Sequence, residues 1–227
     1  MKIASIFLKK KLDKNTDHFL DNSQIHYLKK VLKLKAGEEL FIFDGEGSKY
    51  LTVFNGESST RIIEKVMKPK NFHITVLIPL LKKNQFEFML QKCVEIGVKN
   101  IKVYISRKTK DTFSFEKEIN KYGRYQEIIK SAFLQSENFY LPQLEIFESI
   151  ASFNFTGFNS ICVLDQFAES NITVNKKYDL LISGGEFGFD EYEREIFNKN
   201  QASYMNLGEN ILRAETAPLV ALSKINI

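Results

Sequence analysis

The sequence has no tryptophan, and among its 227 residues it has only two cysteines, three histidines and four prolines. Cys93 and Cys162 stand far apart and lack metal-ligand spacing. That excludes a zinc ribbon or a disulfide framework and reads as two reduced, buried thiols of a cytoplasmic protein. The apolar run nearest the N-terminus is six residues, Ile3 to Leu8, too short for the core of a secretory signal. No run elsewhere is long enough to span a bilayer, so no membrane association is expected. The chain has no Walker A sequence, no Gly-x-Gly-x-x-Gly and no Gly-x-Ser-x-Gly elbow. No His, Cys or Asp cluster has metal-binding spacing, and no metal is expected. His18, His26 and His73 all fall in or near the first third, away from the glycine-rich stretches described below, so a histidine-based triad there is not expected.

What is present is ordinary globular material: 44% hydrophobic and 26% charged residues, with 20 phenylalanines. The net charge of +4 is unevenly spread. Residues 1–72 carry 14 Lys and Arg against 9 Asp and Glu, and the remainder carries 18 against 19. All the excess positive charge lies in the first third, which suggests an acidic macromolecular partner such as nucleic acid.

The first third reads as short strands and tight turns. Ile25, Leu28 and Leu32 stand at helical spacing, Leu40–Phe43 and Tyr50–Phe54 read as a strand and its return, and Asp44-Gly-Glu-Gly between them is a hairpin turn. Arg61–Val66 follows as a further strand. Several short strands of this kind suggest a small barrel. Lys68-Pro-Lys-Asn71 reads as the linker. Beyond it His73–Pro79 is a continuous apolar run, as expected for a strand buried on both faces. Asn84 is expected to cap a helix with Glu87 closing the capping box, and Gly97 to end it. Val98–Ser106 is the next strand, and a long helical segment runs from about 115 to 137, interrupted at Gly123. Ile161–Leu164, Asp179–Ile182 and Tyr204–Leu207 are further strands, 190–197 is a helix, and Pro218 falls in the first turn of a last helix. Strands alternating with helices give an α/β domain with a mostly parallel sheet.

Two stretches near the C-terminus stand out. Ser183–Asp190 (Ser-Gly-Gly-Glu-Phe-Gly-Phe-Asp) and Asn206–Ala217 (Asn-Leu-Gly-Glu-Asn-Ile-Leu-Arg-Ala-Glu-Thr-Ala) each follow a short apolar run and precede helical sequence. In open α/β sheets, ligands bind at such strand-to-helix loops. Glycine also serves merely to turn a chain, but Arg213 and Glu215 among small and apolar residues favour a site. Backbone groups at the glycines, walled by Leu207, Ile211, Leu212 and Leu219, suit a neutral, partly aromatic ligand such as an adenosine.

These residues carry a resemblance. Gly184-Gly-Glu-Phe-Gly-Phe-Asp with Glu193 resembles the Gly-Pro-Glu-Gly-Gly-Phe-Ser-x-x-Glu motif of the RsmE family. Leu207-Gly-Glu-Asn-Ile-Leu-Arg-Ala-Glu-Thr-Ala resembles that family's Leu-Gly-x-Arg-Ile-Leu-Arg-x-Glu-Thr-Ala. Gln91-Lys-Cys-Val-Glu-Ile-Gly-Val resembles its Gln-Lys-Ala-x-Glu-Leu-Gly-Val segment, and His26-Tyr-Leu-x-x-Val-Leu with Asp44-Gly-x-Gly matches its N-terminal domain. The chain departs from the pattern at Gly185, where the motif has proline, and at Phe187, where it has glycine. It departs also at Asn138 and Asn210, where it has arginine.

The resemblance implies an α/β protein of two domains. Residues 1–70 would form a PUA-like β-barrel that binds RNA, and 71–227 a SPOUT methyltransferase domain with a trefoil knot. It further implies a cytoplasmic homodimer that uses S-adenosyl-L-methionine to methylate N3 of a uridine in 16S rRNA of the small ribosomal subunit. The loops and the resemblance together place the cofactor against Ile182, Ser183, Gly184, Gly185, Glu186, Gly188, Leu207, Gly208, Ile211, Leu212, Thr216 and Ala217. Arg213 and Glu215 are the candidate catalytic residues. Lys29, Lys30, Lys33, Lys82, Arg107 and Arg124 are the candidate RNA contacts. Two other readings are a methyltransferase of the same fold acting on another RNA, and a non-enzymatic RNA-binding or ribosome-assembly factor.

Overall fold

The computed structural model describes residues 3–14, 16–69, 74–172 and 177–225. It divides into two compact units, one of residues 1–71 with 133–141 and one of residues 72–132 with 142–227. His73, Lys70 and Asn71 lie outside the described residues.

The first unit is a five-stranded sheet. Its elements in chain order are β1 (Ala4–Phe7), β2 (Asp17–Phe19), the short helix α1 (Asn22–His26), β3 (Glu39–Phe43), β4 (Ser48–Phe54) and β5 (Ser59–Met67). The order β1-β3-β4-β5-β2 leaves β1 and β2 as edges, so the expected small barrel takes the form of an open, curled sheet. The Asp44–Gly47 hairpin turn is as the sequence predicts. Asp44 Oδ1 accepts from the N–H groups of Glu46 (2.8 Å) and Ser48 (2.9 Å), which fixes the turn. Strand β4 alternates buried and half-buried residues, and its Tyr50 and Phe54 pack with Leu28, Leu40 and Ile42 in the core. The helical sequence around His26 is α1 continued as a π-wound turn over Tyr27–Val31, and Lys33 ends it at φ 53°. His18 Nε2 lies 2.6 Å from the carbonyl of Asp13, a structural position.

The second unit is a six-stranded, wholly parallel sheet. In chain order it contains β6 (Thr75–Pro79), α2 (Lys83–Ile96), β7 (Asn100–Tyr104) and α3 (Phe115–Asn120). There follow α4 (Tyr122–Gln135, of which 133–135 count with the first unit), β8 (Gln143–Phe147), β9 (Ile161–Leu164), β10 (Leu180–Ser183), α5 (Glu191–Lys199), β11 (Ser203–Met205) and α6 (Ala217–Ile225). The strand order is β11-β9-β10-β6-β7-β8. The inner strands β6, β9 and β10 are buried along their whole length, which is why they read as unbroken apolar runs. On α2, Phe86, Met89, Leu90, Cys93 and Val94 form the buried stripe. Both cysteines are buried and outside any disulfide, and burial pushes the Cys93 thiol up to about 12, so it stays protonated.

Three expectations are corrected. Asn84 does not cap α2: the helix starts two residues earlier, at Lys83, with Lys82 at the cap and no side-chain hydrogen bond. Leu80 and Leu81 are buried, so Lys82 is the first residue that can turn outward, and Glu87 pairs with Arg124 instead. The long helical segment breaks at Lys121 rather than at Gly123, which lies inside α4. Strands β1, β2 and β8, all at sheet edges, are additional to the predicted set.

Candidate functional site

In the parallel sheet, β6 lies between β7 and β10. The chain builds outward through β7 and β8 on one side, then crosses to β9, returns to β10 between β9 and β6, and ends at the edge strand β11. The loops at the carboxyl ends therefore diverge at a topological switch point, the place where such sheets take ligands. The loops after β9, β10 and β11, with Gln85 and Lys108, line a cleft of about 660 Å³.

The first loop is anchored by Asp165. Its Oδ1 accepts from the Phe167 N–H (3.0 Å), and its Oδ2 pairs with Arg194 of α5. Only 6% of the Asp165 side chain is exposed. The third loop is stitched to the first through Asn206, whose side chain donates to the carbonyl of Ala168 (2.6 Å) and whose N–H donates to that of Ser170 (2.8 Å).

The second loop leaves β10 at Ser183. Its carbonyl accepts from the buried Tyr104 hydroxyl at 2.9 Å. Burial, reinforced by the charge of Glu193, raises Tyr104 well above the ordinary tyrosine range, so it remains a neutral donor. Ser183 is among the residues lining the cleft, and its buried hydroxyl has no hydrogen-bond partner among the described residues. A side chain at Gly184 would press within 3.3 Å of both the Gly188 Cα and the Phe189 ring, so glycine lets the loop close here without displacing either. Gly185 and Phe187 occupy no left-handed backbone, and the proline-to-glycine and glycine-to-phenylalanine departures cost no φ strain. The Phe187 carbonyl accepts from Lys108 Nζ (2.7 Å).

The loop ends in a capping box at α5. Asp190 accepts from the Glu193 N–H (2.8 Å), and Glu193 Oε2 accepts in return from the Asp190 N–H (3.0 Å). Glu193 Oε1 also accepts from the Arg107 N–H (3.2 Å) and the Ser106 hydroxyl (3.4 Å). Burial raises the Glu193 carboxyl above its ordinary value, against the opposing pull of these hydrogen bonds.

The third loop turns at Gly208, where φ is 132°. The Arg213 carbonyl accepts from the N–H groups of Thr216 (2.9 Å) and Ala217 (3.0 Å), which starts α6. The Arg213 side chain is 83% exposed and approaches Glu215 only to 3.9 Å. A solvated pair at that distance leaves the guanidinium available to a ligand.

Of the predicted cofactor contacts, Ser183, Gly184, Gly185, Glu186, Gly188, Leu207, Gly208, Ile211, Leu212 and Ala217 line the cleft, as do Arg213 and Glu215. Ile182 is a core residue, and Thr216 is absent from the lining. Asp165, Gln166, Phe167, Arg194, Gln85 and Lys108 join the cleft without having been singled out in the sequence. The strand end at Leu164 was the available signal for the first three. Among the predicted RNA contacts, Lys29, Lys30, Lys33 and Lys82 are exposed. Arg107 is engaged by Asp190 (2.9 Å) and stacks 4.5 Å from the Tyr192 ring centroid. Arg124 forms a two-point pair with Glu87 at 2.6 and 2.9 Å. No group of three or more His, Cys, Asp or Glu placed to hold a metal occurs among the described residues, and no described helix is long and apolar enough to cross a membrane.

Comparison with known proteins defines the class. The profile of an RNA methyltransferase domain matches residues 68–226, and that of an RNA methyltransferase PUA domain matches residues 20–66. The "Ribosomal RNA small subunit methyltransferase E" of Mesomycoplasma hyopneumoniae is 30% identical over 213 residues, covering 90% of this chain and 92% of that protein. The protein of the same name from Buchnera aphidicola subsp. Acyrthosiphon pisum is 28% identical over 244 residues, covering 99% and 93%. The chain belongs to the ribosomal RNA small subunit methyltransferase E family. A crystal structure of the Neisseria gonorrhoeae member, bound to S-adenosyl methionine, superposes with a TM-score of 0.84 at 22% identity over 98% of this chain and 96% of that one, which establishes the shared fold.

Proposed function

We propose that the protein transfers a methyl group from S-adenosylmethionine to N3 of a uridine in 16S rRNA, on the small ribosomal subunit. The observation that carries this reading is the convergence of three loops on one cleft at the switch point of the parallel sheet, with the exposed Arg213 in its wall. Family membership supplies the class of chemistry.

The cleft suits the cofactor on two observations. Ser183 belongs to the lining and its buried hydroxyl lacks a partner, so a ligand polar atom brought within reach would relieve that unmet hydrogen bond. The cradle around Gly184 is one that a single Cβ would crowd. Backbone groups of 183–188 and 207–212 would hold the cofactor, which supplies a methyl group already activated on sulfur. The protein's task is then alignment, which by itself accounts for a large share of rate. Arg213 is placed to stabilise negative charge on the uracil carbonyls as N3 loses its proton, or to hold a flanking phosphate. Glu215, 15% exposed in the same wall, is the second candidate catalytic group, a carboxylate that could take the N3 proton. The uridine must be unpaired or extruded to expose N3.

The first unit supplies the RNA-binding part, supported by the PUA profile and by the exposed lysines 29, 30 and 33. A homodimer and a C-terminal trefoil knot complete the reading, as the motif resemblance implies. The test is methyl transfer from labelled S-adenosylmethionine to unmethylated small subunits, naked rRNA and tRNA, with the modified base mapped. Label at uridine N3 of the small-subunit RNA is the expected result. Label on another RNA would reassign the substrate, and absence of both label and cofactor binding would overturn the enzymatic reading.

A further inference from the structure

Three large apolar side chains are exposed on the three loops of the cleft: Phe167 on the first (80%), Phe187 on the second (63%) and Ile211 on the third (79%). Scattered exposed hydrophobics are ordinary, but convergence on the lining of one cavity marks a binding surface. Phe187 is the most telling. It stands where the motif that this loop resembles has glycine, and its backbone needs no glycine. Its carbonyl is tied to Lys108, so the loop is restrained while the ring is left to solvent.

The geometry points to Phe187 as the platform on which the extruded target uracil stacks, with Phe167 and Ile211 flanking it. This rests on the methyltransferase reading above. The occupant follows from three features. The ring rises from the same loop whose backbone is assigned to the cofactor, and the base that receives the methyl must lie against that cofactor. Lys108 and Arg213 line the same cleft, and their positive charges match the phosphates on either side of an extruded nucleotide. A dry protein partner seated there would instead bury the 83%-exposed Arg213 guanidinium with only a distant carboxylate beside it, a costly arrangement. Aromatic rings hold unpaired bases by stacking on their faces, whatever the base.

The test uses the full chain and the variants Phe187→Ala, Phe187→Tyr and Phe187→Gly. Three quantities are read: KM and kcat for methyl transfer to unmethylated small ribosomal subunits, cofactor affinity by calorimetry, and oligomeric state by sedimentation. Phe187→Ala and Phe187→Gly are expected to raise KM for the subunit about tenfold, the scale of losing one base–aromatic stack. Phe187→Tyr should restore it, and cofactor affinity should not change. Cofactor affinity falling in step with KM would show the ring covers the cofactor and overturn the proposal. So would wild-type KM in Phe187→Ala, which returns the ring to solvent, or a change of oligomeric state, which assigns it to a contact between copies. A wild-type protein that binds no cofactor and transfers no methyl would instead sink the parent reading. An active wild type with an indifferent Phe187→Ala sinks the stacking role alone.

Discussion

Replacing Glu193 tests how the cofactor loop is held to its scaffold. The carboxylate is 1% exposed and accepts from two backbone N–H groups, of Asp190 and Arg107, and from the Ser106 hydroxyl. Glu193→Ala leaves both backbone donors without that acceptor. A stranded buried donor costs about 1–3 kcal/mol. The wild-type carboxylate already bears a burial penalty, which the substitution removes, so the net loss falls at about 2–3 kcal/mol. Glu193→Gln keeps the shape and separates burial from hydrogen bonding. Burial holds the folded carboxyl above its ordinary value of 4.5, so the folded protein keeps a proton that the unfolded chain releases as pH rises past that value. Stability contributed by Glu193 is therefore full below 4.5 and declines as pH climbs through the raised folded value. The stability of wild type minus that of Glu193→Gln should shrink from pH 4.5 upward. Urea unfolding at a series of pH values, with cofactor affinity measured in parallel, provides the assay. The alanine variant should unfold at lower urea and bind cofactor more weakly, because Asp190 ends the loop. A difference that widens with pH, or an alanine variant as stable as wild type, would refute the reasoning.

Other expectations follow from the same geometry. Gly208→Val places a branched side chain at φ 132°, a strain of about 1–3 kcal/mol. It should abolish cofactor binding by calorimetry while the far-ultraviolet circular dichroism stays native, and retained affinity would remove Gly208 from the site. Arg213→Ala should lower kcat about 100-fold with cofactor affinity unchanged, and unaltered turnover would end its catalytic assignment. Replacing Lys29, Lys30 and Lys33 together by alanine should flatten the slope of log affinity for RNA against log salt by about 2, and an unchanged slope would return them to ordinary solvated surface.

The site was legible where chemistry is local. Glycines at 184, 188 and 208, the Arg213–Glu215 cluster and the apolar strands before them mark the second and third loops by composition alone. The central strands β6, β9 and β10 announce themselves because both faces are buried. What escaped depends on distance in the chain. The Asp165–Arg194 pair spans 29 residues and the Glu193–Arg107 clamp 86, and nothing near either residue hints at its partner. The edge strands β1, β2 and β8 escape for another reason: β1 has four residues, β2 three, and β8 alternates over only Gln143 to Ile146, too short a stretch to stand out as periodic. The cap of α2 was misplaced because Asn84 has the right side chain, while the burial of Leu80 and Leu81 set the turn earlier.

The composition of the first unit has a consequence for synthesis. Its sheet is complete in sequence by Met67, yet Phe133 sets its ring edge-on to Phe7 (5.9 Å) and Phe43 (5.7 Å), and Phe139 does the same to Phe43 (6.3 Å). At about 5–20 residues per second, a nascent sheet waits roughly 4–14 s for the residues that cover those rings. During that interval two phenylalanines stay uncovered on a half-made molecule, where a chaperone or a neighbouring chain competes for them. A fragment stopped after residue 71 would keep that vulnerability permanently, so any transplant of the RNA-binding part must carry 133–141 along with it.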